Sequence, residues 1–378
     1  MIYKKIFLSA LIIISIFSSL QFYVSNIKNV DASYHFSSFR GKNPIHIRQY
    51  AKSSPSGITP ALIKKIYKLP NSGGSGTIAI IDAYDDATIE KDLAVFDKQF
   101  NLPDCSIKNG CLMKHIMASS TKTNSGWALE TSLDVEWAHA IAPNAKILLV
   151  EAKTESGENL LNAIDYAAKR KDVVAVSMSW GGSEFAEELN LDSHFKSVSN
   201  AVFFASSGDD GWGSSWPASS PNVIGVGGTS LELMKDGTFV SESAWSGSGG
   251  GVSVYEDEPE YQKSYSIPKA NGKRAIPDVS YNADPKIGFP VYKTAGSSKN
   301  GWYEVGGTSA GAPQWAAIQA LGKSVSLENI YKDKASAQTL SFFRDITSGS
   351  NGTCKYYCDA RKRYDYVTGL GVPQTIHF

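Results

Sequence analysis

The chain has 378 residues, 42% hydrophobic and 20% charged, which is enough apolar material for one large globular core. Its 37 basic residues balance 37 acidic ones, so no net charge draws it to nucleic acid, whose partners favour a basic face. The six histidines are scattered and form no His-Glu-x-x-His, which removes the usual zinc-peptidase pattern.

At the start, Lys4 and Lys5 precede an apolar run from Ile6 to Val24, and Val30-Asp31-Ala32 offers small residues for cleavage. This pattern predicts a signal peptide over residues 1–32 and a secreted chain beginning near Ser33. A retained anchor is the alternative, since the run could just span a bilayer. Residues 33–56 are polar and aperiodic and read as a short leader.

From residue 57 to 378 the pattern is that of one α/β domain. Strands are expected at Thr77–Ile81, Lys114–Met117, Lys146–Val150, Val173–Met178, Ala201–Ala205 and around Ile224 and Val226. Helices are expected between them, at Thr88–Phe100, Leu129–Ala140, Glu158–Lys169 and Ala186–Asn200. Continuous apolar strands separated by helices indicate a parallel sheet covered on both faces. Leu231–Val240, around Asp236-Gly237, reads as a hairpin. Ser253–Pro277 shows little periodicity, and Ala310–Leu321 reads as a helix. Cys105 and Cys111, and Cys354 and Cys358, are close pairs that in an exported chain suggest two small disulfide loops. Asn351-Gly352-Thr353 is a glycosylation sequon.

Four segments carry candidate chemistry. In Gly306-Gly307-Thr308-Ser309-Ala310-Gly311-Ala312-Pro313 the glycines allow a sharp turn that sets Ser309 at a helix start, where free N–H groups favour negative charge. Simple capping is the bland reading of that serine. Glu130 and Asp134 lie four apart on one helix face; if buried, such a pair shares a proton, which suits acid–base work in acid. Asp209, in Ser206-Ser207-Gly208-Asp209-Asp210-Gly211, and the segment Ser179-Trp180-Gly181-Gly182 both follow apolar strands, where α/β sheets gather ligand-handling residues. Exposed backbone at the latter could pair with an extended peptide.

Together these segments resemble the sedolisins, serine-carboxyl peptidases related to the subtilisins. The resemblance runs from about Thr59 to Pro373 and includes the run Trp137–Pro143 and Pro277-Asp278-Val279-Ser280. It implies a subtilisin-like three-layer sandwich with a mostly parallel central sheet flanked by helices. It further implies a secreted endopeptidase active at acidic pH on peptides or proteins, with a monomer as the expected state. Ser309 would be the nucleophile, Glu130 the base, Asp134 its orienting partner and Asp209 the oxyanion donor. One structural Ca²⁺ would be held by Asp345, Ile346 and Asp365, with backbone carbonyls at Arg361 and Arg363 where sedolisins usually have glycine. Sedolisins commonly carry a long folded propeptide, and here only the short leader precedes the domain.

Two rivals follow from the same residues. A subtilisin-type peptidase would use Asp82 in a histidine triad, but no His-Gly-Thr segment follows, so Asp82 is expected to be structural. An inactive relative could serve as an extracellular peptide-binding protein, against which stands the presence of all four catalytic residue types.

Overall fold

The computed structural model describes residues 35–118, 122–296, 300–322, 325–332 and 342–374. The expected signal segment, residues 1–32, lies outside them. Among the described residues no helix is long and apolar enough to cross a membrane.

The strands are β1 His46–Lys52, β2 Thr77–Ala83, β3 Leu112–Ile116, β4 Lys146–Ala152, β5 Val173–Met178, β6 Val202–Ser206, β7 Val223–Leu233, β8 Phe239–Ala244, β9 Gly251–Asp257, β10 Lys273–Ile276, β11 Val279–Asn282, β12 Phe289–Lys293 and β13 Gly301–Gly306. The helices are α1 Pro60–Ile66, α2 Ile89–Phe100, α3 Ser125–Ile141, α4 Gly157–Ala168, α5 Glu260–Tyr265, α6 Gly311–Ala320 and α7 Leu327–Tyr331. An eight-stranded sheet runs in the order β3-β4-β2-β5-β6-β7-β11, with β8 added antiparallel to β7. All other pairings in it are parallel. The expected α/β sandwich is present.

Strand β2 shows why both faces are covered: every residue of Thr77–Ala83 is buried. Ile78 and Ile80 belong to one core, with α3 and α6; Ala79 and Ile81 belong to the other, with α4. The two-residue period of a strand divides its side chains between two helix layers. Chain order reverses at β2, which lies between β4 and β5, and ligands in such sheets bind where the order reverses, at the strands' carboxyl ends.

Several elements depart from the expected pattern. Ala186–Asn200 is not one helix but two short 3₁₀ turns, Ala186–Asn190 and Asp192–Phe195. The Glu188 carboxylate accepts the Phe185 N–H and the Ser219 hydroxyl, so the segment spends its polar groups on local and cross-chain bonds rather than on a helix ladder. The aperiodic stretch Ser253–Pro277 folds as β9, α5 and β10. The leader is no loose tail either: β1 pairs antiparallel with β13, with His46 opposite Gly306, and so joins the hairpin β12–β13 as its third strand. Both expected disulfides form. Asn351 of the sequon is buried and its amide donates to the Ser248 carbonyl at 2.8 Å, so the folded chain has no room for a glycan there.

Candidate active site

Three elements converge at the carboxyl ends of β2, β5 and β6. The first is α3, capped by the Asn124 side chain, which accepts the Gly126 and Trp127 N–H groups. This helix is buried from Trp127 to Ile141, so Glu130 and Asp134, one turn apart, are both removed from water. The second is the turn after β13. Gly307 there takes φ 126°, and a Cβ would lie 2.1 Å from the Pro44 carbonyl oxygen, so glycine is required. The turn delivers Ser309 into a short 3₁₀ segment, Thr308–Ala310, that feeds α6. The third is the loop after β6, which carries Asp209.

Ser309 is fully buried, and its hydroxyl lies 3.5 Å from the Ser179 carbonyl. It also faces Glu130. Burial holds the Glu130 carboxyl well above the usual carboxylate range, and Asp82 adds to the rise; Ser309 and Asn43 oppose it. Among the described residues neither Glu130 oxygen has a partner at ordinary hydrogen-bond length, a looseness common in resting catalytic sites. Asp134 is likewise held up, first by burial and then by Asp82 and Glu130. Its Oδ1 accepts the Ser179 hydroxyl at 2.8 Å rather than a proton from Glu130. Two carboxyls this close in a dry site do not both ionise easily, and they titrate as a pair.

Asp209 presents one oxygen to the framework and one to the cleft. Oδ1 accepts the Thr308 N–H at 2.8 Å and the Thr308 hydroxyl at 2.7 Å. Oδ2 lies 3.0 Å from Nε2 of His46, a half-exposed leader residue. Burial raises the Asp209 pKa above the ordinary value, with His46 pulling it down. Thus Ser309, Glu130, Asp134 and Asp209 are assembled in one place. Asp82 stands beside the pair, fully buried, its carboxyl pushed up to about 7 by burial.

The cleft retains a cavity of about 350 Å³, walled by the chain's own Lys42–His46 together with Gly181–Ser183 and Ser207–Ser215. Lys42 exchanges both backbone hydrogen bonds with Gly181, at 2.9 and 3.1 Å. On the other side the Gly41 N–H donates to the Glu155 carbonyl at 2.8 Å, and Gly157 N–H to that of Phe39 at 3.2 Å. An extended segment is therefore held between two loops as an added strand. The Asn43 amide donates to the Gly126 carbonyl at 3.2 Å. Sequence reasoning gave no role to Asn43 or His46, because their partners are distant loops; the only signal was one of the two histidines in a polar leader. Trp212 lines the cleft, whereas Trp180 and Trp216 are fully buried beside it.

The calcium residues can be judged by their oxygens. Asp345 Oδ2 accepts the Arg363 N–H at 2.8 Å, and its buried Oδ1 has no partner. Asp365 accepts the Arg361 N–H at 3.1 Å, so both aspartates bracket one loop. Burial raises both carboxyls, Asp365 to about 7. The Arg361 guanidinium turns away, to the Tyr356 carbonyl and Asp359. Asp345 is half-buried with Lys362 nearby, and Asp365 is buried and accepts from Arg361, Val367 and Thr368; the Asp345 oxygen left without a partner among the described residues is the feature that fits a hard cation. The other cluster of potential ligands among the described residues, Cys105, Cys111 and His139, is spoken for by the Cys105–Cys111 disulfide.

Residues 110–341 match the Subtilase family. The chain is 30% identical over 364 residues to kumamolisin of Bacillus sp. (strain MN-32), covering 85% of this chain and 63% of that protein. It is 28% identical over 281 residues to sedolisin of Pseudomonas sp. (strain 101), covering 65% and 47% respectively. The chain thus spans between about half and two thirds of the length of these two relatives. Among solved structures, Pseudomonas sedolisin complexed with two molecules of pseudo-iodotyrostatin superposes with a TM-score of 0.70 at 26% identity, covering 85% of this chain and 96% of that one. Sphericase, at 18% identity, 86% and 99% coverage and a TM-score of 0.54, shares the fold.

Proposed function

Since the chain belongs to the subtilase family and, within it, to the sedolisins, we propose that it is a secreted serine-carboxyl endopeptidase working in acid. The observation that carries this reading is the meeting of Ser309, Glu130, Asp134 and Asp209 beside an extended segment of the chain that is hydrogen-bonded as an added strand.

Glu130, ionised while Asp134 keeps the shared proton, takes the Ser309 proton as Oγ attacks the scissile carbonyl, and later passes it to the leaving amine. Asp134 sets the charge on Glu130 and is itself fixed by Ser179. The tetrahedral oxyanion is met by the Ser309 N–H and by Asp209, which must be protonated to donate. Loss of one such donor costs about 2.7–4 kcal/mol. Water then hydrolyses the acyl-enzyme. Burial raises the pKa of each of these carboxyls, which favours the protonated Asp134 and Asp209 that this chemistry needs and makes Glu130, once ionised, a stronger base. Endopeptidase action suits a groove through which a chain continues on both sides of Ser309, as Phe39–Lys52 does. The leader must move aside first, and acid assists, because protonating Asp209 ends its ion pair with His46.

A structural Ca²⁺ would be held by the Asp345 and Asp365 carboxylates with carbonyls of Ile346, Arg361 and Arg363, cancelling two negative charges. The test of the whole reading is titration with a peptide aldehyde across pH. Covalent capture at Ser309 that strengthens towards pH 4 is expected; capture that peaks near neutrality would point to a histidine base and the subtilisin-type alternative.

A further inference from the structure

The leader is also a ruler laid along the cleft. The Pro44 carbonyl oxygen and Asp209 Oδ2 lie 2.1 and 2.6 Å from the point where a Gly307 Cβ would stand, which sets Pro44 beside the proposed oxyanion donor. Counting back from it, Asn43 is second, Lys42 third, Gly41 fourth and Phe39 sixth. Two of these positions are selective. At Gly41 a Cβ would meet Leu160 Cδ1 at 2.7 Å and the Trp180 ring at 3.4 Å. Both side chains are fully buried within one core, so neither has an empty place to move into. Phe39 is also fully buried, edge-on to Trp216 at 4.8 Å between ring centres, with Phe185 at 5.7 Å and Trp180 at 6.4 Å. The room for its ring comes from Gly182, where a Cβ would stand 2.8 Å from the Phe39 ring.

We infer that the groove selects aromatic-x-Gly-x-x ahead of the cleaved residue, with Leu160 the determinant that limits the fourth position to glycine. This deepens the peptidase reading and rests on it. An incoming strand that borrows the Gly181 and Glu155 hydrogen bonds must follow the leader's path, so any side chain at the fourth position meets Leu160. An aromatic two residues earlier fills a preformed apolar pocket, whereas a small residue leaves it open.

The experiment has two arms. In the first, cleavage sites made in a denatured protein mixture at pH 4 are read by mass spectrometry. Glycine at the fourth position and Phe, Tyr or Trp at the sixth should be enriched at least fivefold over their background frequency, and Leu160→Ala should abolish the glycine preference while keeping the aromatic one. Sites without either enrichment overturn the inference. In the second, the full chain carrying Ser309→Ala is followed by hydrogen exchange, which needs no turnover. Gly41→Val should speed exchange at the Lys42 and Gly181 amides at least tenfold while β2 and β5 stay protected, and adding Leu160→Ala should restore protection. Unchanged exchange in Gly41→Val overturns the closure by Leu160. Absence of any cleavage in the first arm would defeat the peptidase reading, and the second would still decide the role of Leu160.

Discussion

Asp278 and Asp134 are both fully buried, yet their surroundings differ in kind. Asp278 receives Arg274 through two bonds of 2.8 and 2.6 Å, the Tyr331 hydroxyl at 2.7 Å and the Gly225 N–H at 2.7 Å. Every lone-pair direction is used, and the charge has a counter-ion. Asp134 has one hydroxyl at 2.8 Å and an oxygen with no partner, and its neighbours Glu130 and Asp82 are further acids. Asp278, which serves the fold, is saturated with donors. The acids proposed for chemistry are left short of them, which keeps their protons available and leaves an electrostatic cost in the fold.

The contrast predicts opposite responses to mutation. Largest is the loss of activity in Ser309→Ala or Glu130→Gln, each about 10³-fold or more in kcat/KM at pH 4 by initial rates on a casein digest. Retention within tenfold of wild type would break the comparison at its functional end. The same Glu130→Gln change should not lower the melting temperature at pH 7.5 and should raise it slightly, since it removes a strained acid. Arg274→Met should do the reverse, stranding Asp278 and costing about 3–5 kcal/mol, or roughly 4–7 °C in melting temperature for a chain this long. A melting temperature within 2 °C of wild type would show that Asp278 does not depend on its counter-ion.

Next in size is pH. Glu130, Asp134, Glu136 and Glu188 are raised by burial, as are Glu151 and Glu256, each to about 8. The folded chain therefore binds these protons more tightly than the unfolded one. Stability is complete in acid and falls as pH climbs from the ordinary carboxylate range through about 8. Calorimetry should show a melting temperature at least about 5 °C lower at pH 8 than at pH 4.5; a rise instead would mean the buried acids find partners on ionising. The smallest effect belongs to calcium. EGTA should lower the melting temperature by about 2–4 °C near neutrality, and Asp345→Ala should erase that response.

Much of this was legible beforehand. The apolar strands, the Gly307-Thr308-Ser309 turn and the spacing of Glu130 and Asp134 are local patterns, and periodicity carries them. The bidentate role of Arg274 was not, because nothing in Lys273-Arg274-Ala275 distinguishes a core guanidinium from a surface one. Nor was the place of Phe39–His46, whose bonds to Gly126, Glu155 and Gly181 reach loops more than eighty residues away in sequence. Ala186–Asn200 misled for a related reason: Glu188 is turned inward to bond Phe185 and Ser219, while the helical pattern assumes it faces water.

The pairing of β1 with β13 has a consequence for the liberated enzyme. Stripping away His46–Lys52 would bare one whole rim of the β12–β13 ribbon just before Ser309, leaving its amides and carbonyls to seek another strand. A mature form should therefore be stickier than its precursor and inclined to self-associate when no peptide is present to cover that rim.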